Sequence, residues 1–224
     1  MTPPDFVRPQ EPVTPRDFVR AHTAVARAPL VPEIALYLAT EITPIWQATE
    51  AWLERSGVEP PFWAFAWPGA QALARMILDH PALVRGRKVL DFAAGCGLAA
   101  IACARAGATV EAAEIDPMAI AAVEANAALN GVAVGTLEGD VVGQDSRWDL
   151  ILCGDVCYEA PMTSHILPWL RGLAATSEVW VADPGRAYLP TAGMTTLASY
   201  EVATTVELED RAQRRTTIYR LLAD

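Results

Sequence analysis

Residues 88–116 read KVLDFAAGCGLAAIACARAGATVEAAEID and decide the fold class. The pattern predicts a buried strand over 88–94, a turn that contains glycine, a helix from Gly97 to Ala106 and a second strand over 108–116. Short apolar runs bounded by such turns are typical of strands that are covered on both faces. Two strands joined by a helix predict a parallel pair, which is the unit of open α/β sheets.

The same alternation continues towards the carboxyl end of the chain. Residues 117–131 predict a helix, because Pro117 opens the segment and Asn-Gly closes it. The segments that follow predict, in order, strands over 132–140 and 148–156, a helix over 161–174, a strand over 177–185, and two strands over 199–210 and 211–223. The last two predict an antiparallel hairpin. The expected fold is therefore α/β and Rossmann-like, with a seven-stranded, mostly parallel sheet and a C-terminal antiparallel hairpin.

The first 59 residues differ from the rest of the chain. Residues 1–15 contain five prolines and predict a loose tail. From Pro15 to about Arg55 the pattern predicts two or three short helices, which are broken at Pro29, Pro32 and Pro44. We therefore predict an N-terminal tail and helical extension over residues 1–59 and the main domain over residues 60–224. The main domain starts with the aromatic segment PPFWAFAWPGA and a helix from Gly69 to about Asp79.

Composition limits the class of protein. Hydrophobic residues make up 52% of the chain and charged residues 20%, which is typical of a globular protein. The net charge of −10 disfavours nucleic acid as the main ligand, because phosphate binding needs a basic surface. We expect no membrane segment and no targeting peptide, and hence a cytoplasmic protein. Four cysteines without a CxxC pair and three scattered histidines predict reduced thiols and no metal.

Acidic residues stand at the ends of the first three strands predicted in the main domain. Asp91 precedes the turn Gly95-x-Gly97, whose glycines allow a ligand to approach the backbone closely. Glu114 ends the second strand, where a carboxylate can accept both hydroxyls of a ribose. Asp140 follows the third strand and is placed to reach the exocyclic amine of adenine. Together these residues predict a site for a cofactor that contains a nucleoside.

Two cofactors fit this pattern. Dinucleotide enzymes typically carry GxGxxG, whereas the segment from Gly95 has no separate third glycine, although alanine can substitute there. An aspartate just before the turn fits a cationic amino-acid ligand better than a pyrophosphate. The sequence therefore favours S-adenosylmethionine over NAD. Asp116, which precedes Pro117, is interpreted as a helix N-cap.

Asp155, Tyr158 and Glu159 follow the fourth of these strands. In a doubly wound fold this strand end faces the cleft, where a second substrate binds. An aspartate can hold an amine, and a tyrosine can orient it through its hydroxyl or its ring face. On spacing alone, a helix cap followed by a packed tyrosine is the alternative.

At these positions the sequence resembles the seven-β-strand protein lysine methyltransferases, which carry an aspartate-x-x-tyrosine motif after strand four. Within that group it resembles the electron transfer flavoprotein beta-subunit lysine methyltransferases over about residues 30–190. The segments that carry the likeness are Val31-Pro-Glu-Ile34, Thr43-Pro-Ile-Trp46, Pro61-Phe-Trp-Ala64, Trp67-Pro-Gly-Ala-Gln71, Val84-Arg-Gly86, Val89-Leu-Asp91, Gly95-Cys-Gly97, Ile115-Asp-Pro117, Gly154-Asp155, Tyr158 and Asp183-Pro-Gly-Arg186. The aromatic segment and Asp-Pro-Gly-Arg are the most specific of them.

The resemblance implies a class I methyltransferase that uses S-adenosylmethionine to methylate lysines of a partner protein, with the electron transfer flavoprotein beta subunit as the expected partner. It implies that Trp67, Gln71 and Ile115 contact the cofactor. It also implies that Asp155 and Tyr158 orient the lysine amine, with assistance from Glu159. Core packing is the alternative for the tryptophans of the aromatic segment.

The sequence departs from the family pattern at three positions. Ala93 stands where the family usually has the first glycine of its turn, Ala70 replaces a glycine after Trp-Pro-Gly, and Glu114 replaces a frequent aspartate. Animal members are mitochondrial, and a bacterial cytoplasmic member is expected here. Two other functions stay open at this point: methylation of a small-molecule amine or nitrogen heterocycle, and a catalytically idle Rossmann domain that binds a partner.

Overall fold

The computed structural model describes residues 14–40, 61–204 and 209–223. The helices are α1 (Pro15–His22), α2 (Pro68–Asp79), α3 (Leu98–Arg105), α4 (Pro117–Leu129) and α5 (Ala160–Leu173). The strands are β1 (Ala24–Ala28), β2 (Val31–Leu38), β3 (Lys88–Phe92), β4 (Thr109–Glu114), β5 (Gly135–Glu138), β6 (Leu150–Gly154), β7 (Glu178–Asp183), β8 (Met194–Ala203) and β9 (Gln213–Leu221). Short 3-10 helices lie at Phe62–Ala64 and Pro81–Leu83.

The strand–helix alternation forms a single sheet, which confirms the predicted fold class. Within the described residues the sheet has seven strands in the order β5-β4-β3-β6-β7-β9-β8. The first five are parallel, and β9 is antiparallel to both β7 and β8. The chain reverses its direction of winding between β3 and β6, so their carboxyl ends border a cleft.

Both faces of the sheet are covered, which explains why its central strands are almost entirely apolar. Val89 of β3 and Leu152 of β6 pack with α2 and α3 on one face. Leu90 and Ile151, the neighbours of these residues in sequence, pack with α5 on the other face. All four cysteines are free and buried in these layers. None of the helices in the described ranges combines the length and apolar character that crossing a bilayer requires.

The N-terminal segment corrects one prediction. Helix α1 is present and begins at the side chain of Thr14, which accepts a hydrogen bond from Asp17 N. The short helices predicted around Pro29 and Pro32 are wrong, because this stretch forms the antiparallel hairpin β1–β2. The prediction at Pro44 lies outside the described residues.

The hairpin forms because its apolar side chains recur every second residue. Ile34, Leu36 and Leu38 of β2 are buried in the same core as α2 and α3. Pro29 lies in the turn between the two strands, and Pro32 is the second residue of β2, positions that proline tolerates. The predicted boundary between residues 59 and 60 adjoins the undescribed residues 41–60 and stays a prediction.

Candidate active site

A cavity of about 520 Å³ opens at the carboxyl ends of the parallel strands. Its lining includes Phe62, Trp63, Trp67, Gly95, Glu114, Ile115, Gly139, Asp140, Asp155, Tyr158, Glu159, His165 and Arg186. A cavity of this size, mostly apolar with a few polar groups, is the usual form of a small-molecule site. The structure thus brings together most of the residues that the sequence predicted.

The turn after β3 is shaped for close contact with a ligand. Gly95 and Gly97 adopt left-handed backbone angles, with φ of 54° and 74°. A side chain on Gly95 would meet no atom of the described residues within 4 Å, so its backbone faces open space in the cavity. Ala93, which replaces the usual glycine, is also left-handed at φ 53°, a conformation that costs alanine roughly 1 kcal/mol.

Glu114 fixes this turn from the neighbouring strand. Its Oε1 accepts a hydrogen bond from Gly95 N at 2.7 Å, and its Oε2 accepts one from Ile115 N at 3.2 Å. Burial raises the pKa of Glu114 to about 7, although these hydrogen bonds lower it. The side chain of Ile115 is 65% exposed and lies beside it in the cavity, where it offers an apolar surface to a flat ring.

Three residues predicted to contact the cofactor are not in the cavity lining. Asp91 is buried behind the turn and accepts a hydrogen bond from Ala100 N at 2.8 Å. Burial, with a smaller effect from nearby Glu114, raises the pKa of Asp91 to about 8. Gly97 is the N-cap of α3, and a Cβ on it would lie 3.1 Å from a side-chain carbon of Val123. The third residue is Gln71.

The prediction for Gln71 is corrected. Its Nε2 donates to Ala66 O at 2.7 Å, and its Oε1 accepts from Leu30 N at 3.3 Å. The side chain therefore joins α2 to the aromatic segment and to the hairpin turn, away from the cavity. Trp67, by contrast, lines the cavity, and its Nε1 donates to Phe62 O at 2.8 Å; its contact with the cofactor stays a prediction.

Asp140 is paired with a histidine that the sequence analysis did not place. Its Oδ1 accepts from Val142 N, and its Oδ2 lies 2.8 Å from His165 Nε2. Although burial raises the pKa of Asp140, the Val142 and His165 hydrogen bonds hold it below the usual value. The two partners are 25 residues apart in sequence, which hides this pair from any local pattern.

Asp155 lies at the end of β6 with a left-handed backbone at φ 58° and is buried. Its Oδ2 accepts from Gly69 N at 2.5 Å, and its Oδ1 accepts from Arg186 Nε at 2.9 Å and Nη2 at 2.7 Å. Glycine is required at position 69, because a Cβ there would lie 2.6 Å from Asp155 N. A carboxylate offers about four lone-pair sites, and N–H groups of the protein occupy three of them.

Arg186 holds the carboxylate of Asp155 in place. Sequence reasoning identified this arginine only as part of the family motif Asp183-Pro-Gly-Arg186 and gave it no role. Besides Asp155 it binds Glu209, at 3.0 Å from Nη1 and 2.5 Å from Nη2. Burial raises the pKa of Asp155 to about 6, while Arg186 and the Gly69 N–H lower it. The carboxylate form of Asp155 therefore predominates at pH 7.

Aromatic rings border the mouth of the cavity beside Asp155. The Phe62 ring lies 5.8 Å from the ring of Tyr158 and 5.9 Å from that of Trp67. Tyr158 is partly exposed, and Glu159 is exposed at the start of α5. Within the described ranges, no three His, Cys, Asp or Glu side chains come together as a set that could hold a metal ion.

Comparisons with known proteins agree with this geometry. Residues 64–154 match the sequence profile of the family described as Methyltransferase small domain. The chain is 40% identical over 179 residues to the electron transfer flavoprotein beta subunit lysine methyltransferase of Xenopus laevis, which covers 77% of this chain and 71% of the relative. The corresponding protein of Danio rerio is 38% identical over 179 residues, covering 77% of this chain and 68% of the relative.

Solved structures show the same fold. A 16S rRNA methyltransferase of Thermus thermophilus in complex with AdoMet and guanosine has a TM-score of 0.52 at 18% identity, covering 70% of this chain and 43% of that one. A magnesium protoporphyrin IX methyltransferase of Synechocystis with bound SAM has a TM-score of 0.51 at 14% identity, and the match covers 79% of this chain and 92% of that one. The relatives are 38–40% identical to this chain over more than two thirds of their own length. This chain therefore belongs to the electron transfer flavoprotein beta subunit lysine methyltransferase family and is an S-adenosylmethionine-dependent methyltransferase.

Proposed function

We propose that this protein transfers methyl groups to lysine side chains of the electron transfer flavoprotein beta subunit. The observation that carries the proposal is the position of Asp155 and Tyr158, which line the same cavity as Glu114. They follow β6, on the other side of β3 from the strand that ends in Glu114, and Tyr158 lies next to Phe62. The substrate is suggested by the names of relatives at 38–40% identity. The predicted cytoplasmic location remains a prediction.

The donor end of the cavity fits S-adenosylmethionine. Glu114 would hold the ribose hydroxyls, Ile115 would cover the adenine, and the open backbone at Gly95 would admit the amino-acid part. Asp140 would act near the adenine together with His165. When bound, the cofactor supplies a methyl group that is already activated by a sulfonium, so the chain needs no nucleophile of its own.

At the acceptor end, the task of the protein is alignment and exclusion of water. The lone pair that remains on Asp155 would accept an N–H of the incoming amine, while the rings of Tyr158 and Phe62 would flank its aliphatic stem. A lysine must first lose its proton, since the pKa of a free lysine side chain is about 10.4. We assign no dedicated general base. The proton would leave to solvent, beside the exposed side chain of Glu159, which would assist its departure.

The test is a methylation assay on purified flavoprotein beta subunit with S-adenosylmethionine, read by mass spectrometry of intact protein and peptides. We expect mass increases of one or more methyl groups on lysine, and methylation about 10²-fold slower with Asp155→Asn. A pool of small-molecule amines serves as the competing acceptor. Methylation of the small amines with an unmodified flavoprotein would overturn the proposal.

A further inference from the structure

Asn126 of α4 is fully buried between the N-terminal hairpin and the turn after β3. Its Nδ2 donates to the carbonyl oxygen of Cys96 at 2.9 Å, and its Oδ1 accepts from Tyr37 N at 2.7 Å. One amide side chain thus joins the turn between Gly95 and Gly97 to strand β2. A buried amide with both ends bonded to backbone is expected to fix the relative position of its two partners.

The end of β2 reaches a second wall of the cavity. Ala39 N, just beyond the strand, donates to Ala64 O at 2.9 Å. Ala64 follows Trp63, which lines the cavity. No residue of the described range 14–40 lines the cavity itself. The hairpin is therefore placed to influence both walls without touching a bound ligand.

The turn depends on side chains of other elements for its position. It has one internal backbone hydrogen bond, from Gly97 N to Ala94 O at 2.8 Å. Backbone hydrogen bonds also hold its two ends, from Ala94 N to Ala113 O at 3.2 Å and from Ile101 N to Gly97 O at 2.9 Å. Between these ends, side chains of other elements hold it at two points: Glu114 at Gly95 N and Asn126 at Cys96 O. We propose that Asn126 is a positioning residue for donor binding, which holds the Gly95–Gly97 turn in place and couples the N-terminal hairpin to the donor site.

This inference rests on the assignment of the cavity to the methyl donor and is independent of the acceptor.

Asn130, one turn further along the chain, provides a matched control. Its Oδ1 accepts from Ala35 N at 3.2 Å and from Arg105 Nη2 at 2.8 Å, and its Nδ2 donates to Ala35 O at 2.6 Å and to Asn126 O at 2.7 Å. It joins the same helix to the same strand but does not touch the turn.

The experiment is amide hydrogen exchange of the full chain with and without S-adenosylhomocysteine, together with calorimetric measurement of its Kd. In the unaltered protein, ligand binding should slow exchange over residues 35–38, because coupling between two sites is reciprocal. Asn126→Ala should abolish this protection and weaken binding about tenfold, the upper range for loss of one hydrogen bond. Asn130→Ala should keep the protection and change Kd less than about twofold.

Two results would overturn the inference. One is tight binding to the unaltered protein with no change in exchange over residues 35–38, a result that needs no variant and therefore holds even if Asn126→Ala does not fold. The other is equal behaviour of Asn126→Ala and Asn130→Ala. If the unaltered protein fails to bind S-adenosylhomocysteine at all, the donor site itself is refuted, and this inference with it.

Discussion

Replacing Asp155 with asparagine isolates the effect of the charge at the centre of the proposed acceptor site. Asparagine keeps the size of the side chain and tolerates the left-handed backbone at φ 58°. Its oxygen can still accept a hydrogen bond from Arg186, but its NH₂ group then faces Gly69 N–H. Two hydrogen-bond donors would therefore face each other without an acceptor between them. Arg186 keeps Glu209 as its charged partner.

The magnitude follows from these contacts. A hydrogen bond to a charged group contributes about 1.5–3 kcal/mol, and breaking a buried ion pair costs about 3–5 kcal/mol. Because the Arg186 side chain is 19% exposed and remains paired with Glu209, the upper end of this range does not apply. We expect Asp155→Asn to lower the free energy of unfolding by about 2–4 kcal/mol and Tm by roughly 5–15 °C.

The effect on catalysis should exceed the effect on donor binding. Loss of the acceptor for the amine should reduce methyl transfer by about 10²-fold, since alignment is lost. The Kd of S-adenosylhomocysteine should stay within about threefold, because Glu114 and Gly95 are untouched. Urea unfolding measures the free energy of unfolding, calorimetry measures the Kd, and single-turnover assays at saturating donor measure the rate of methyl transfer. All three are carried out below the Tm of the variant.

Asp183→Asn is the matched control. Asp183 is buried at the end of the adjacent strand, its Oδ1 accepts from Gly185 N and Arg186 N, and its Oδ2 has no hydrogen-bond partner among the described residues. An amide in that place keeps both hydrogen bonds, so stability and transfer should change much less. Full activity of Asp155→Asn, or equal losses in the two variants, would refute the assigned role of Asp155.

Three further predictions concern single side chains. Because the pKa of Glu114 is about 7, the affinity for S-adenosylhomocysteine should rise about tenfold from pH 6 to pH 8, in proportion to the ionised fraction, and Glu114→Gln should flatten that profile in calorimetry. A flat profile in the unaltered protein would place Glu114 outside the donor contact. Burial raises the pKa of Asp91 to about 8, so its contribution to stability is fully present below about pH 4 and is lost as pH rises through 8. Asp91→Asn should therefore reduce the fall in Tm of the ligand-free protein between pH 5 and about 8.5, and an identical fall in both proteins would contradict this. Tyr158→Phe should retain more methyl transfer than Tyr158→Ala if the ring aligns the amine, and equal losses would assign the role to the hydroxyl.

The sequence predicted those features that depend on neighbours in the chain. The βαβ unit and the acids at the strand ends could be identified because each motif is local, and a parallel sheet then brings the strand ends to one edge. Glu114, Asp140 and Asp155 accordingly line one cavity. The strand pattern of Ile34, Leu36 and Leu38 was also local, but the prolines around it favoured broken helices.

Contacts between distant residues could not be predicted in the same way. Arg186 and Asp155 are 31 residues apart, and their pairing depends on how the loop after β7 folds back over β6. The sequence also does not show whether a side chain faces the cavity or the protein interior. Asp91 and Gln71 have suitable residue types at suitable positions, yet both side chains point into the protein. Residue type and spacing thus located the site, while the direction of each side chain required the packed structure.

The four buried thiols determine how this protein responds to oxidants and alkylating reagents. Burial raises the pKa of Cys96 and Cys157 to about 12, so almost none of the reactive thiolate is present at neutral pH. Reaction at these positions then requires a local opening of the structure. Cys96 lies in the turn between Gly95 and Gly97, and Cys157 lies between Asp155 and Tyr158 in the sequence. Any modification of these thiols therefore occurs in molecules that have already opened at these positions, and in the closed protein the thiols stay unreactive without being paired in disulfides.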